Sequence, residues 1–502
     1  MFIRSLSLAC LAFTAALSAP AQAFNNSLDG TIYNYYLDGM FGGGWAPPNS
    51  EVLTMKAPVA TARTADGGYV IAVSLTGGGA NGGTGEQIGL ARLDHNGNLV
   101  TSGFGAGGVV TKDAWFTRVT DMVIDAQGRI VVVGAAPDNG GKTDLAVARF
   151  NPDGSDDSSF SGDGATQVGI DENGTWTQDI AYSVLAEPDG RLVLVGNTDS
   201  RFAVVRLLPN GDVDHSFGSI TDGQGGARGT ASRFLTDMFA LGTRVMKIVD
   251  GRYVVAGSTM TAEGNFNFAA RVLGSGGQLL VNAGSSASFA VSMLDAPIKD
   301  NVLSDAVLVD PITILLAGTT ADSRFAATRI KVGPDNGGNY TVLNWDTSFV
   351  GSGIANRAYR YFSNPVASPT WALLHGAAVD ADGNAWLVGD IASTLKRPAG
   401  AGAQRVLQPA EDPLSMMGKI VRLKPDGSPD QDWNSDADGS NYYWKAPADF
   451  TNLQDVVMDG AMPVVLGSYR NDDYQESPKA TMIRLVLDRI FADNFDFDQS
   501  PN

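Results

Sequence analysis

A short apolar run closed by glycine returns six times along this chain of 502 residues. The copies are Ile130-Val-Val-Val-Gly134, Leu192-Val-Leu-Val-Gly196, Tyr253-Val-Val-Ala-Gly257, Ile314-Leu-Leu-Ala-Gly318, Trp386-Leu-Val-Gly389 and Val464-Val-Leu-Gly467. Tyr69-Val-Ile-Ala-Val73 is an earlier, degenerate copy. The glycines are 62, 61, 61, 71 and 78 residues apart. Runs this short, rich in β-branched residues and bounded by turn residues, read as buried strands. Their recurrence limits the chain to a repeat architecture in which each unit buries its faces against its neighbours.

The surroundings of each run define a unit. A strand and a tight turn precede it, as in Asp125-Ala-Gln-Gly128-Arg129, Glu187-Pro-Asp189-Gly190-Arg191 and Asp380-Ala-Asp382-Gly383-Asn384. Glycine supplies the positive φ such hairpins need, and it also closes the strands. A strand ending in arginine follows in seven copies, at Arg92, Arg149, Arg206, Arg271, Arg329, Arg422 and Arg484. After it come a turn and an Asp-x-x-aromatic group: Asp157 to Phe160, Asp214 to Phe217, Asp346 to Phe349, Asp430 to Trp433 and Asp488 to Phe491. Several units add a fourth short strand, such as Gly108-Val-Val-Thr111. Three to four strands per unit, seven units and no helical period predict an all-β, seven-bladed β-propeller. The mean unit of about 68 residues exceeds a minimal blade, so the surplus is placed in loops.

The ends of the chain predict how the ring closes. Leu37-Asp38-Gly-Met-Phe41-Gly42 matches the Asp-x-x-Phe-Gly group but has no arginine strand before it. The last unit is short of residues for a fourth strand. Residues 24–58 are therefore expected to pair with residues 453–495 and share one blade, which hides a sheet edge. The propeller spans 24–495, and 496–502 form an acidic tail.

Residues 1–23 read as a secretory signal, with Arg4 in the n-region, an apolar stretch from Leu6 to Leu17, and Ala21-Gln-Ala23 as the cleavage site. Its removal takes Arg4 and the sole cysteine, Cys10, leaving 34 basic against 54 acidic residues, a net −20. The mature chain works without disulfides, so its core must be large. The expected location is secreted, extracellular or periplasmic, with no membrane span. The acidic balance argues against coating nucleic acid.

These residues resemble the delta-60 repeat family of exported bacterial proteins, a predicted β-propeller repeat. The best copies are Arg149-Phe-Asn-Pro-Asp153-Gly154-Ser-Asp-Asp157-Ser-Ser-Phe160, Arg206-Leu-Leu-Pro-Asn210-Gly211-Asp-Val-Asp214-His-Ser-Phe217-Gly218 and Arg422-Leu-Lys-Pro-Asp426-Gly427-Ser-Pro-Asp430. The unit after Arg271 departs from the pattern, because Gly276-Gly277-Gln-Leu-Leu280 lacks the aromatic. The resemblance implies a fold and an exported location, and no activity.

Catalytic signatures are sparse. His95, His215 and His375 have no metal-motif spacing, and no Gly-x-Ser-x-Gly elbow occurs. Gly140-Gly-Lys142-Thr143 ends like a phosphate loop, but Ala136 stands where its first glycine belongs. Asp380, Asp382 and Asn384 alternate around a glycine, as calcium ligands do, and so do Asp436, Asp438 and Asn441. The second set departs from the repeat and is the calcium candidate; no other cofactor is expected. The repeat stretches between Arg329 and Arg422, 93 residues against 57 to 65 elsewhere. Its two insertions carry Arg357, Tyr359, Arg360, Tyr361 and Trp371, then Lys396, Arg397 and Arg405. Aromatics beside cations stack on sugars or anchor a partner, so these are the candidate contact residues. Three functions fit: a binding or scaffold module for a protein or glycan at one propeller face, a glycan hydrolase or lyase with channel-facing carboxylates, or a structural surface or matrix component.

Overall fold

In the computed structural model the described residues lie within 54–485, apart from 77–85, 139, 171–176, 199–200, 219–231, 235–239, 261–264, 279, 281–288, 292–300, 321–323, 335–339, 350–358, 363–370, 393–415, 431–439, 444–449 and 471–478. Apart from one 3-10 turn at Val249–Gly251, their regular structure is all β. Seven antiparallel sheets follow one another along the chain, spanning 54–116, 118–168, 179–234, 240–291, 302–362, 371–443 and 450–484. Six contain at least four strands in sequence order, and the seventh contains three.

Each glycine-closed run lies on the second strand of its sheet, between an inner first strand and the arginine strand. In the second sheet, Ile130–Pro137 pairs Val131 with Val123 on one side and with Arg149 on the other. Burial on both faces explains the continuous apolar runs, since Leu192–Thr198 and Thr313–Thr319 are buried at every residue. The core lies between sheets. One cluster joins Val131, Val133 and Val147 of the second sheet to Leu192, Leu194 and Val205 of the third. Another joins Val254, Ala256 and Phe268 of the fourth to Ile314, Leu316 and Ile330 of the fifth. The first and last sheets are joined in the same way, Tyr69, Ile71 and Val73 packing with Val464, Leu466 and Met482.

The glycines that close the runs do not end strands, as their sequence suggested. Gly134 is followed by three more residues of the same strand. A Cβ at Gly134 would lie 1.9 Å from the Arg118 carbonyl oxygen on the inner strand. The distances are 1.9 Å at Gly196, 2.1 Å at Gly318, 2.0 Å at Gly389 and 2.4 Å at Gly467, in each case to an inner-strand carbonyl. The cause is a β-bulge. Each inner strand carries one extra residue near this point: Val59, Thr120, Tyr182, Thr243, Ser304, His375 and Gln454. A bulge bends its strand toward the partner, which here leaves no room for a side chain.

Residues 54–58 lie in the inner strand of the first sheet, Thr54 facing Thr76 and Pro58 facing Val73. The remainder of the proposed closing segment, 24–53, lies outside the described residues, as do the signal segment 1–23 and the tail 496–502.

Candidate functional site

The bulges align one residue from every sheet. The residue after the bulge faces the residue before the repeat glycine: Ala60, Asp121, Ser183, Arg244, Asp305, Gly376 and Asp455 occupy this position in sheet order. Four are charged; Arg244, Asp305 and Asp121 meet, and Asp455 feels their charges. Arg244 Nε donates to Asp305 Oδ1 at 2.5 Å and its Nη1 to Asp121 Oδ2 at 3.0 Å. These pairs link the fourth sheet to the fifth and to the second.

The carboxylates also tie each sheet to the next. Asp121 accepts from the Val184 N–H at 3.2 Å, Asp305 from the Ala377 N–H at 2.8 Å, and Asp455 from the Thr61 N–H at 2.7 Å. Val184, Ala377 and Thr61 each follow the aligned residue of their own sheet. The joint from the seventh sheet to the first is thus built like the joints from second to third and from fifth to sixth. The other oxygens accept from the following N–H groups, Met122, Ala306 and Val456.

Burial sets the electrostatics. It pushes the Asp121 carboxyl up, against the pull of Arg244. It raises Asp455 to about 6, with the Thr61 N–H and Arg244 opposing. Burial alone would lower Arg244, but Asp305 and Asp121 outweigh it and hold the guanidinium above its ordinary value. The Arg244 pairs hold the second, fourth and fifth sheets together.

A second set of ties uses the position after the repeat glycine. Asn197 Oδ1 accepts from the Gly242 N–H, Ser258 Oγ from Leu303, Thr319 Oγ1 from Leu374, and Asp390 Oδ1 from Leu453, all at 2.8 to 2.9 Å. The residue at the matching place in the first sheet is Pro58, which has no N–H to offer. His375 Nε2 lies 2.8 Å from Asp390 Oδ2, so this histidine serves the sixth-to-seventh joint. Burial pushes Asp390 up, with His375 opposing.

A third set, on the turns, explains the repeated Arg…Asp-x-x-Phe group. Arg149 Nε donates to Asp157 at 2.7 Å, Arg206 Nε to Asp214 at 2.8 Å and Arg329 Nε to Asp346 at 2.9 Å. Each guanidinium stands over the phenylalanine of its group, 4.4 Å from Phe160, 4.4 Å from Phe217 and 5.0 Å from Phe349. The other carboxylate oxygen accepts from Ser159, Ser216 or Ser348 and fixes the turn. Burial pushes Asp346 up, but Ser348, Lys331 and Arg329 outweigh it and hold it at about 2. The phenylalanine reaches the next sheet and rests on its turn glycine. A Cβ on Gly211 would lie 3.3 Å from Phe160, on Gly277 2.7 Å from Phe217, and on Gly427 2.9 Å from Phe349. Gly154 seats Phe104 in the same way. An open depression of about 500 Å³ beside Phe104 has Asp153 as its one charged lining residue. Arg271, in the unit without Asp and Phe, is buried with no acidic partner among the described residues, and burial lowers it to about 10.

The residues singled out from sequence are dispersed. Tyr359, Arg360 and Tyr361 lie on strand Tyr359–Phe362, paired with Thr328, Ala327 and Ala326. This is the place the outermost strand takes in the second sheet, where Ala165–Val168 pairs with Leu145 to Ala148. Trp371 begins the inner strand of the sixth sheet, opposite Ala392. Arg357, Lys396, Arg397 and Arg405 lie outside the described residues, as do Asp436 and Asp438; Asn441 is on the outer strand of the sixth sheet, opposite Ile420. In the other calcium-like loop, Asp380 accepts from the N–H groups of Asp382 and Asn384 and from the Asn384 and Trp386 side chains, so both oxygens are used within the hairpin. Among the described residues no group of three or more His, Cys, Asp or Glu could hold a metal ion. No described helix is long and apolar enough to cross a membrane. The axial residues were not singled out from sequence. A fixed offset would have found most of them: Asp121, Ser183, Arg244, Asp305 and Gly376 each precede a repeat glycine by thirteen residues.

No curated protein matches the chain. Among solved structures it is similar to a protein of unknown function from Dyadobacter fermentans, with 9% identity over 87% of this chain and 98% of that one and a TM-score of 0.38. A glucose dehydrogenase shares 12% identity over 68% and 95%, TM-score 0.36. An exo-1,5-alpha-L-arabinanase from a bovine ruminal metagenomic library shares 13% over 60% and 100%, TM-score 0.29. At such scores these likenesses bear on no residue's chemistry. The family described as a domain of unknown function (DUF5122) β-propeller matches residues 127–160 and 187–217. Those segments hold the second and third strands and the Asp-x-x-Phe groups of the second and third sheets, so two of the units match the DUF5122 β-propeller repeat.

Proposed function

We propose that the chain is an exported, seven-bladed β-propeller that binds a protein or glycan partner and carries no catalytic site. The supporting observation is the state of the axial carboxylates. Asp121 and Asp305 accept from Arg244, and Asp121, Asp305 and Asp455 each accept from the backbone of the next sheet. Acids committed in this way act as a clasp. The match between the Asp455–Thr61 tie and its two counterparts supports a ring in which the seventh sheet follows round to the first, with residues N-terminal to 54 completing the last blade. Residues 1–23 direct export and are removed. The partner face is assigned to the outer edge of the fifth sheet, whose edge strand carries Tyr359, Arg360 and Tyr361, and Arg357, Trp371, Lys396, Arg397 and Arg405 are assigned to it from the sequence alone. Calcium is held by Asp436, Asp438 and Asn441.

A glycan array followed by reducing-sugar release tests this reading. Retention without turnover, weakened in a Tyr359→Ala, Tyr361→Ala double variant, is expected. Turnover of any glycan refutes it. The convergence of Asp121, Asp305, Asp455 and Arg244 favours a second reading, glycan hydrolysis. That reading requires the turnover to vanish in Asp121→Asn or Asp455→Asn protein that still folds.

A further inference from the structure

The arginine of the fourth sheet stands one place out of line. In the other six sheets the arginine faces the residue three before the repeat glycine, or before Val73 in the first sheet, as Arg149 faces Val131 and Arg206 faces Val193. In the fourth, Val272 takes that place opposite Val254, and Arg271 faces Val255, two before Gly257. Successive strand residues point to opposite faces, so a shift of one reverses the side chain. Val272 packs with Ile314 and Ile330 of the fifth sheet, whereas Leu273, on the same face as Arg271, packs with Val193 and Val204 of the third. Arg271 is therefore turned back toward the third sheet. The residues at its position in the other sheets are Ala91, Ala148, Val205, Thr328, Val421 and Ile483, none of them charged.

Among the described residues nothing neutralises this guanidinium. Arg92, Arg149, Arg206, Arg329, Arg422 and Arg484 each pair with an aspartate. Arg271 pairs with none, and the acids of its joint are committed elsewhere: Asp214 to Arg206 and Ser216, Glu187 to Lys247 and Tyr253. Its one hydrogen bond runs from Nη1 to the Ala270 carbonyl at 3.3 Å, and its Nε is buried without a partner. Burial lowers it only to about 10, so it is a cation at neutral pH. A buried cation without an anion is costly. The residue keeps 6% of its surface exposed, which gives an ion an approach from solvent.

The unspent edge selects the shape of that ion. Arg329 donates to Asp346 from Nε at 2.9 Å and from Nη2 at 2.6 Å. In Arg271 neither nitrogen of this edge has a partner among the described residues. Two parallel N–H groups match the two oxygens of a planar carboxylate, a fit that a spherical ion does not use. We propose that Arg271 binds a small carboxylate from solution, of the size of formate or acetate, through its Nε–Nη2 edge at the joint of the third and fourth sheets. The ligand supplies from outside the group that Asp157, Asp214 and Asp346 supply within their own units.

The test melts the mature chain in a low-salt zwitterionic buffer with sodium acetate rising to about 50 mM, against the same range of sodium chloride to match ionic strength. Acetate should raise the melting temperature by about 2–3 °C more than chloride, and the difference should saturate. Arg271→Met should abolish the difference, and so should Arg271→Lys, which keeps the charge and loses the fork. Without acetate, Arg271→Met should melt no lower than the native protein, because it removes an uncompensated charge. Equal effects of acetate and chloride, or an acetate effect that survives in Arg271→Met, overturn the proposal. So does an Arg271→Met variant that melts several degrees lower without acetate, since that loss means a partner within the chain. If the methionine variant does not fold, the Nε–H resonance of Arg271 in arginine-labelled native protein decides: it should shift on acetate addition and not on chloride, and a resonance that stays in place refutes the site.

Discussion

Replacing Arg244 with methionine removes the one cation among the axial carboxylates and keeps a side chain of similar length. Arg244 bridges Asp121 and Asp305, and Asp455 feels its charge as well. Deleting one partner of a buried ion pair costs about 3–5 kcal/mol, because the other charge is left without compensation. For a mature chain of about 480 residues melting as one unit, the unfolding entropy is roughly 1 kcal/mol per degree, so the loss is about 3–5 °C. The loss should depend on pH. Asp455 titrates at about 6 in the fold and at 3.8 in the unfolded chain. A carboxyl raised by folding contributes stability that is fully present below the unfolded value and is lost as pH rises through the folded one. That swing is already about 3 kcal/mol in the native protein. Without Arg244 the pull that lowers Asp121 and Asp455 is gone and both carboxyls rise further, so the variant should lose less at pH 5 than at pH 7 to 8. Circular-dichroism melts at pH 5 and 7.5 measure both. Adding Asp121→Asn and Asp305→Asn to Arg244→Met should recover most of the loss. A pH-independent deficit, or a variant within about 1 °C of the native protein at pH 7.5, would show that the clasp does not carry the stability assigned to it.

Gly389→Ala should fail to fold or melt far lower, since its Cβ would lie 2.0 Å from the Leu373 carbonyl oxygen; Gly103→Ala, with no atom within 4 Å of its Cβ, has only its positive φ of 75° to strain it and is the control in the same melt. Phe160→Ala empties a fully buried seat between the second and third sheets and should cost about 3–5 kcal/mol in urea unfolding. Burial pushes Asp179 up to about 7, against the Ile170 N–H and Thr177. Its contribution is therefore full below pH 4 and declines through pH 7, and Asp179→Asn should flatten that part of the stability profile. Calcium at about millimolar concentration should raise the melting temperature, and Asp436→Asn should abolish the rise.

The sequence made the second and third strands of each unit legible, because both are continuous runs buried on two faces and the arginine ends one of them. It also showed the turn groups, whose residue types repeat. It did not show the reason for the run-closing glycines. That reason is a bulge on another strand, and a bulge is a relation of register between two strands with no residue type of its own. The axial cluster was hidden for a similar cause. Ala60, Asp121, Ser183, Arg244, Asp305, Gly376 and Asp455 share a position and no chemistry, so similarity between units passes over them. Of the two insertions read between Arg329 and Arg422, the second, at 395–405, lies outside the described residues, and the first contains a strand of the sheet. Pairing shows that Tyr359–Phe362 fills the place of an outermost strand, displaced along the chain by the hairpin strand Tyr340–Trp345.

The seating of each phenylalanine on the following sheet bears on how such a chain can be lengthened or shortened by recombination. The segment matched at 127–160 begins inside the second sheet and ends on the residue that plugs the third. The inherited module is therefore out of phase with the folded one. A crossover at a sheet boundary would part Arg149, Asp157 and Phe160 from the glycine at 211 that receives them, whereas a crossover within the hairpin before a run would carry plug and socket intact. Gain or loss of whole units should therefore leave its scars in the turns ahead of the glycine-closed runs, and chimeras cut there should be the ones that still fold.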